Sequence, residues 1–545
     1  MKRRFLENYF ELFLAENDIF CTFAARNKCY VMKIIGRKSE IYELERLSKS
    51  GAPEFVAVYG RRRVGKTFLV KEFFGNNFVF YATGVSRGTK AEQLQNFHDS
   101  LLEYGYKGES SAPADWNEAF KRLRMVVEQS RQKRKVIFLD ELPWMDTQKS
   151  RFVQAIDLFW NKWCSTREDV MLVVCGSAAS WMVKNIIKNK GGLHNRITSK
   201  IHLMPFTLGE TREYLQSRGV RWPEQMLAEC YMVMGGIPYY LQQIDRSMSL
   251  AQNVDRMFFR ENASLGDEFE NLYSSLFAHS GGHMEIVRVL ARKREGLTRD
   301  EIVKETSLTD GGGLTRRLTE LEQCGFIRRY STINNARQLY QLTDFYTQFY
   351  FQFLAGGKTY DDEQWLHLQG TSKHNSWLGL SFERLCFAHM PQIRRALGIA
   401  GVATKTFAYQ TDGAQVDMVI ERADKTVCMC EMKWSAMPYA IKKAAGKREK
   451  SDACIDSSEV TEQREQCELA QTLPSRDGTR CNQREQARAK LNAENGKIGN
   501  RLMAVREKYP RYALMVVMVT SGGLVQNEYA MQTVQREVTL EDLFW

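Results

Sequence analysis

The sequence contains no CxxC pair, and its twelve cysteines are scattered over 545 residues without a regular framework. That pattern excludes a disulfide-stapled secreted scaffold and predicts reduced thiols in a cytoplasmic protein. Cys428 and Cys430 share one face of an expected strand, but no second pair stands near them to complete a zinc site, so core packing is expected. No stretch approaches the roughly 20 uninterrupted apolar residues a membrane span needs, and no membrane partner is expected. The opening MKRRFLENYFELFLAEND begins like a secretory signal, yet Glu7, Asn8 and Glu11 stand where an apolar run belongs. There is no internal repeat. Aromatic residues, 11% of the chain, are missing from Ala440 to Lys508. That stretch is rich in Gln, Glu, Lys and Arg, and reads as an inserted helical or disordered arm.

What remains is ordinary folded composition, with 43% hydrophobic residues and a length that suggests three or so domains. The net charge of +12 and pI near 9.0 predict a surface that attracts polyanions, nucleic acid among them. Residues 1–31 carry no recognisable chemistry, and Met32 opens MKIIGRKSEI like a natural beginning. From Phe55 to Leu203, apolar β-branched runs alternate with helical stretches: FVAVYG, FVFYATG, VIFLDE, VMLVVCGS and KIHLMPF. This is the pattern of a buried parallel sheet covered by helices on both faces, hence an α/β fold.

GRRRVGKT, from Gly60 to Thr67, fits the phosphate-cradling pattern G-x-x-x-x-G-K-S/T between a strand and a helix. Gly60 and Gly65 permit the tight turn, so that backbone N–H groups across Arg61, Arg62, Arg63 and Val64 face the phosphates. Lys66 is placed to bridge the β- and γ-phosphates of ATP, and the Thr67 hydroxyl to ligate Mg²⁺. In VIFLDELPWMD, Asp140 and Glu141 emerge at the carboxyl end of a strand. Asp140 is expected to hold Mg²⁺ through water, and Glu141 to polarise the attacking water. Ser177 ends the next strand, where a polar group can sense the γ-phosphate. Arg196 lies where a charge-neutralising arginine would serve the phosphates in cis or from a neighbouring subunit. Ser177 as a plain strand end and Arg196 as a surface residue are the competing readings.

GRKSEIYEL, YGRRRVGKT, FLDELPWM, CGSAASWM, GGLHNR and GGIPYYL, taken in order, resemble the archaeal-type ATPase family of AAA-like, signal-transducing P-loop proteins. The resemblance runs from about Met32 to Leu241. It implies that Gly36 and Arg37 sit near the adenine and that Pro238 packs a helical lid on the nucleotide. Gly235 and Gly236 before Pro238 also suit a sharp bend.

Downstream, residues 283–342 read as a winged helix. Thr298 and Glu301 form a capping box, and DGGG leads into LTRRLTELEQCGF with Arg316 and Arg317 near its start. Such a helix contacts either DNA or protein. The last segment carries Asp417 in QVDMVIE, then Glu431 and Lys433 in CMCEMKW. This order resembles the restriction-endonuclease-like superfamily, with Val416 where its proline is usual. The resemblance implies Asp417 and Glu431 as Mg²⁺ ligands, Lys433 as the residue orienting water, and Glu383 as a possible further ligand. An inactive scaffold of the same shape is the alternative.

The expected organisation is an N-terminal extension (1–31), a P-loop ATPase domain (32–207), a helical lid and connector (208–280), a winged helix (281–356) and a nuclease-like domain (357–545) with its polar insert at about 440–508. The expected function is an ATP-controlled switch or motor on nucleic acid, with possible metal-dependent cleavage, alone or as a homo-oligomer. The rival is a signalling ATPase whose later domains bind protein partners.

Overall fold

Buried β-branched runs become strands that demand cover on both faces, and the first sheet follows from this. The computed structural model describes residues 34–189, 191–277, 279–331, 338–357, 361–411, 414–441, 498–499 and 501–545. The expected extension 1–31 and most of the polar insert lie outside the described residues. The first of two units runs to Arg329 and resumes over Tyr340–Thr371; the second holds Tyr330–Leu339 and Ser372–Leu543.

In the first unit, α1 (Lys38–Ser48) precedes β1 (Glu54–Tyr59), and α2 (Lys66–Phe73) follows the P-loop. Then come β2 (Phe80–Thr83), α3 (Lys90–Glu103), α4 (Trp116–Gln129), β3 (Lys135–Asp140), α5 (Phe152–Lys162), β4 (Val170–Gly176) and β5 (Ser199–His202). The strands form one sheet in the order β2-β3-β4-β1-β5, every pair parallel. The chain is therefore an α/β protein, as its pattern of runs predicts.

Alternate residues of the strands go to opposite faces. Phe55, Ala57, Phe80, Ile137, Leu139, Leu172 and Val174 face a core built with Phe97, Trp116, Phe120, Phe152 and Phe159 from α3–α5. Trp116 is 1% exposed and meets Phe97 and Phe152 edge-on. Truncating such a ring to Ala costs about 3–5 kcal/mol. In a parallel sheet all carboxyl ends share one edge. The segments after β1, β3, β4 and β5 therefore emerge together.

α6 (Leu208–Ser217) starts at a Thr207–Glu210 capping box, and α7 (Glu224–Met234) ends on left-handed Gly235. α8 (Glu268–Leu276) leads to α9 (Gly281–Ala291), α10 (Arg299–Glu305) and α11 (Gly312–Gln323). The Thr298–Glu301 capping box forms at the start of α10. β6 (Ile327–Ser331) pairs with β7 (Gln338–Leu342), Leu297 bridges to Tyr340, and α12 (Phe345–Phe349) follows with Asp344 as its cap.

In the second unit, α13 (Ser372–Ala388) precedes β8 (Thr404–Thr411), β9 (Ala414–Arg422), β10 (Thr426–Lys433), β11 (Ala513–Thr520) and β12 (Arg536–Thr539). The order is β12-β11-β10-β9-β8, with β8–β10 an antiparallel meander and β10–β12 parallel. Residues 498–499 and 501–508, which close the polar stretch, are helical. Ile498 and Val505 pack with Val419, Val427, Met429 and Val516, so this end of the stretch belongs to the core. Among the described residues, no helix is long and apolar enough to cross a membrane.

Candidate nucleotide site and C-terminal acidic cluster

Gly60 has φ 149°, Arg63 72° and Gly65 91°, left-handed values that curl the loop between β1 and α2. A Cβ on Gly60 would lie 2.2 Å from the Leu203 carbonyl oxygen, so only glycine lets this loop pass the end of β5. Lys66, 5% exposed, donates from Nζ to the Arg61 carbonyl at 2.8 Å and stays within the curl of the loop. Val64 is buried and Arg62 half-buried.

The Thr67 hydroxyl donates to Asp140 Oδ2 at 2.8 Å, and the Glu141 N–H donates to Asp140 Oδ1 at 2.9 Å. Glu141 is left-handed at φ 47°, a conformation that costs about 1–3 kcal/mol for a residue with a side chain. Its Oε2 accepts from Ser177 twice, from the backbone N–H at 3.1 Å and the hydroxyl at 2.8 Å. Thr67, Asp140, Glu141 and Ser177 come from three strand ends, and the parallel order makes them neighbours. A hydroxyl beside a carboxylate in this position is a hard-oxygen pair that suits Mg²⁺.

Gly36 and Arg37 are both left-handed, and Arg37 is 5% exposed. Its guanidinium donates to the carbonyls of Met204 at 2.7 Å and Val64 at 3.1 Å and lies 4.5 Å over the Phe206 ring. Burial lowers its pKa, against Glu210 and Glu40, which raise it. Arg37 thus ties the segment before α1 to the P-loop. Half-buried Pro238 opens a helical turn next to Tyr239, whose ring lies 4.2 Å beneath Arg63.

Arg196 is exposed in the turn before β5. Thr198 N–H pairs with Phe55 at the start of β1, whereas Leu203 N–H pairs with Tyr59 at its end. Arg196 therefore lies toward the edge where β1 begins, away from the phosphate edge of its own chain.

Two contacts gave no sequence signal. Arg61, fully buried, is ion-paired with Asp344, and Arg63 with buried Glu268. The partners stand 283 and 205 residues away (344 − 61 and 268 − 63), with no spacing rule to connect them.

In the second unit the β9–β10 ladder runs regularly to the Cys430–Met418 pair, and the register of β9 against β8 shifts between Phe407 and Tyr409. Beside that irregularity the Asp417 side chain meets β10: Oδ2 accepts from Met432 N–H at 3.0 Å. Glu431 is wholly buried; Lys433 Nζ lies 3.8 Å from its Oε2, and Arg501 is ion-paired to the same oxygen. Its Oε1 has no hydrogen-bond partner among the described residues. Burial, then the Asp417 charge, push Glu431 up to about 7, while Lys433 and Arg501 pull it down. Half-buried Glu383 lies on α13, where its charge acts on Cys386. Asp417, Glu431 and Lys433 are thus brought together, with Arg501 as a fourth member that sequence reading missed within the polar stretch. Among the described residues, no group of three or more His, Cys, Asp or Glu is arranged for a metal.

Residues 34–244 match the family model described as an ATPase domain predominantly from Archaea. Over 413 residues the chain is 23% identical to an uncharacterised protein of Methanocaldococcus jannaschii, covering 73% of this chain and 87% of that one. An uncharacterised ATP-binding protein of the same archaeon is 41% identical over 49 residues, 9% of this chain and 83% of that protein. Among solved structures, a Walker-type ATPase of Pyrococcus abyssi is 16% identical with a TM-score of 0.43, covering 59% of this chain and 96% of that one. The ORC2 protein of Aeropyrum pernix, solved as ADPNP and ADP complexes, is 15% identical with a TM-score of 0.39, covering 59% and 93%.

Proposed function

We propose that the chain hydrolyses ATP with Mg²⁺ and uses it as a switch on nucleic acid, a reading supported by the match of residues 34–244 to the model of an ATPase domain predominantly from Archaea. The observation that carries the reading is the division of labour between adjacent carboxylates. Asp140 is 2.8 Å from the Thr67 hydroxyl, while Glu141 is held by Ser177.

On this reading Lys66 leaves the Arg61 carbonyl for the β- and γ-phosphates. Mg²⁺, held by Thr67 directly and by Asp140 through water, would supply charge neutralisation on the phosphate oxygens. Glu141 orients and polarises the water that attacks the γ-phosphorus as its bond to the β–γ bridging oxygen breaks. Ser177 fixes Glu141 and couples it to the end of β4. Arg196, exposed at the far edge of the sheet, serves the nucleotide of a neighbouring copy rather than its own.

The nucleic-acid part rests on the basic charge and on residues 281–356 read as a winged helix. Three helices precede a β-hairpin, and Thr315, Arg316 and Thr319 are exposed on α11 after a Gly-rich turn. The test is phosphate release by the full chain with ATP, Mg²⁺ and single- or double-stranded DNA or RNA, beside DNA retention across a salt series. Retention that falls steeply with salt supports phosphate contacts. ATP turnover without any nucleic-acid retention returns the chain to the rival reading, in which the later domains bind protein.

A second reading concerns the Asp417–Glu431–Lys433 cluster as a metal-dependent phosphodiesterase site. It is favoured by the unpartnered Glu431 Oε1, a buried carboxylate oxygen with capacity for one more ligand. Asp417 and Glu431 would hold the ion with waters completing its shell, and Lys433 would orient the attacking water.

A further inference from the structure

The P-loop carries three arginines, and two of them, buried Arg61 and half-buried Arg63, are held in ion pairs. The Arg61 guanidinium is fully buried, lies 4.8 Å over the Phe326 ring and is ion-paired to Asp344 Oδ1. Its Nε and Nη2 find no hydrogen-bond acceptor among the described residues. Asp344 divides its two oxygens. Oδ2 caps α12, accepting from the Thr347 N–H at 3.0 Å and its hydroxyl at 2.6 Å, which leaves Oδ1 for Arg61. Arg63 is ion-paired to Glu268, at the start of α8, and Glu268 is gripped in turn by the Tyr240 hydroxyl. The first and third variable residues of the phosphate loop are therefore each bolted to a carboxylate that begins a downstream helix.

The charges balance, two guanidinium groups against two carboxylates, in a setting walled by Tyr240, Tyr273 and Tyr346. A buried charge stripped of its partner is strongly destabilising, because it is left without compensation in a low-dielectric setting. The loop thus cannot change conformation at Arg61 or Arg63 without either carrying Asp344 and Glu268 along or breaking a costly pair. We propose that Asp344 and Glu268 are positioning residues of the nucleotide site, which set the P-loop through Arg61 and Arg63 and transmit phosphate occupancy to α12 and α8. This rests on the ATP-site reading above. It goes beyond that reading by assigning the transmission to two ion pairs. Coupling is reciprocal: if ATP alters the hold on Asp344, that hold in turn biases ATP affinity.

The full chain is titrated with ATP and followed by amide hydrogen exchange, the wild type beside Asp344→Asn and Glu268→Gln. A double variant, Arg61→Met with Asp344→Asn, removes both charges of one pair and keeps an oxygen to cap α12. ATP should change exchange in the wild type at α2 and also in α12 and α8. Asp344→Asn should weaken ATP binding roughly 5–150-fold, the range of ordinary coupling energies. At saturating ATP it should keep the α2 response and lose that of α12. The double variant should recover folding stability without recovering the α12 response, a separation that a merely structural pair would not give. If ATP protects α2 in the wild type but leaves α12 and α8 unchanged, the coupling is overturned. If it protects neither α2 nor the helices, the ATP site itself has failed. Should Asp344→Asn not fold, Glu268→Gln carries the test alone, and wild-type ATP affinity with a wild-type α8 response in that variant overturns the proposal.

Discussion

Ser177 donates both its backbone N–H and its hydroxyl to one oxygen of Glu141. Glu141 therefore has one carboxylate oxygen fixed by two hydrogen bonds at the end of β4. Replacing Glu141 with Gln should leave ATP binding intact and lower turnover about 10²–10⁴-fold, the ordinary contribution of a positioned base. Ser177→Ala should fall between this variant and the wild type, because it frees the carboxylate without removing it. Phosphate release at saturating ATP checks both. An unimpaired Glu141→Gln enzyme means that another group handles the water.

Lys66→Ala should abolish tight ATP binding. Arg61 and Arg63 are already neutralised by Asp344 and Glu268, whereas Lys66 Nζ is held by a backbone carbonyl, which phosphate oxygens can readily replace. Equilibrium binding of labelled ATP measures this, and an unchanged dissociation constant is incompatible with the site described.

Gly60→Ala sets a stereochemical test of the loop. The added methyl group would meet the Leu203 carbonyl at 2.2 Å on a backbone at φ 149°. Gly51 is also left-handed, at φ 63°, but nothing lies within 4 Å of its Cβ position. Gly51→Ala should cost only the conformational strain, about 1 kcal/mol, and leave ATP binding alone. Gly60→Ala should cost more in thermal unfolding and impair ATP binding as well. Equal losses for the two would mean that the Leu203 contact does not constrain the loop.

The first sheet and its site were legible because their signals are local. β1, β3 and β4 announce themselves as buried runs, and the chemistry sits in the few residues after each, so strand order alone gathers Lys66, Thr67, Asp140, Glu141 and Ser177. Asp344 and Glu268 were not legible. Each looks like an ordinary helix-start acid, and only the tertiary fold brings them to Arg61 and Arg63. Arg501 was hidden for a different reason. The stretch around it is polar enough to read as solvated, yet Ile498 and Val505, spaced at helical intervals, bury one face of its final turns. Arg196 shows the reverse case. Its motif was visible, but only the pairing of Thr198 with Phe55 and of Leu203 with Tyr59 shows which edge of the sheet it occupies.

The C-terminal cluster makes the riskiest prediction. Glu431 is wholly buried and shares one oxygen with Arg501 and Lys433 while its other oxygen has no hydrogen-bond partner among the described residues. A divalent ion would satisfy that oxygen and offset the Asp417 charge, and it would compete with Arg501 for the same carboxylate. Arg501→Gln should therefore destabilise the metal-free protein by about 3–5 kcal/mol, since it leaves a buried acid without its nearest guanidinium. Mn²⁺ should then raise the unfolding temperature of Arg501→Gln more than that of the wild type, because binding to the folded state alone stabilises it by mass action. Asp417→Ala should cancel the Mn²⁺ effect in either background and remove any Mn²⁺-dependent cleavage of DNA, with ATP binding unchanged. Thermal unfolding with and without Mn²⁺, followed by a DNA cleavage assay, covers the whole series. If Mn²⁺ shifts neither protein, the cluster is a structural ion-pair network and the phosphodiesterase reading falls.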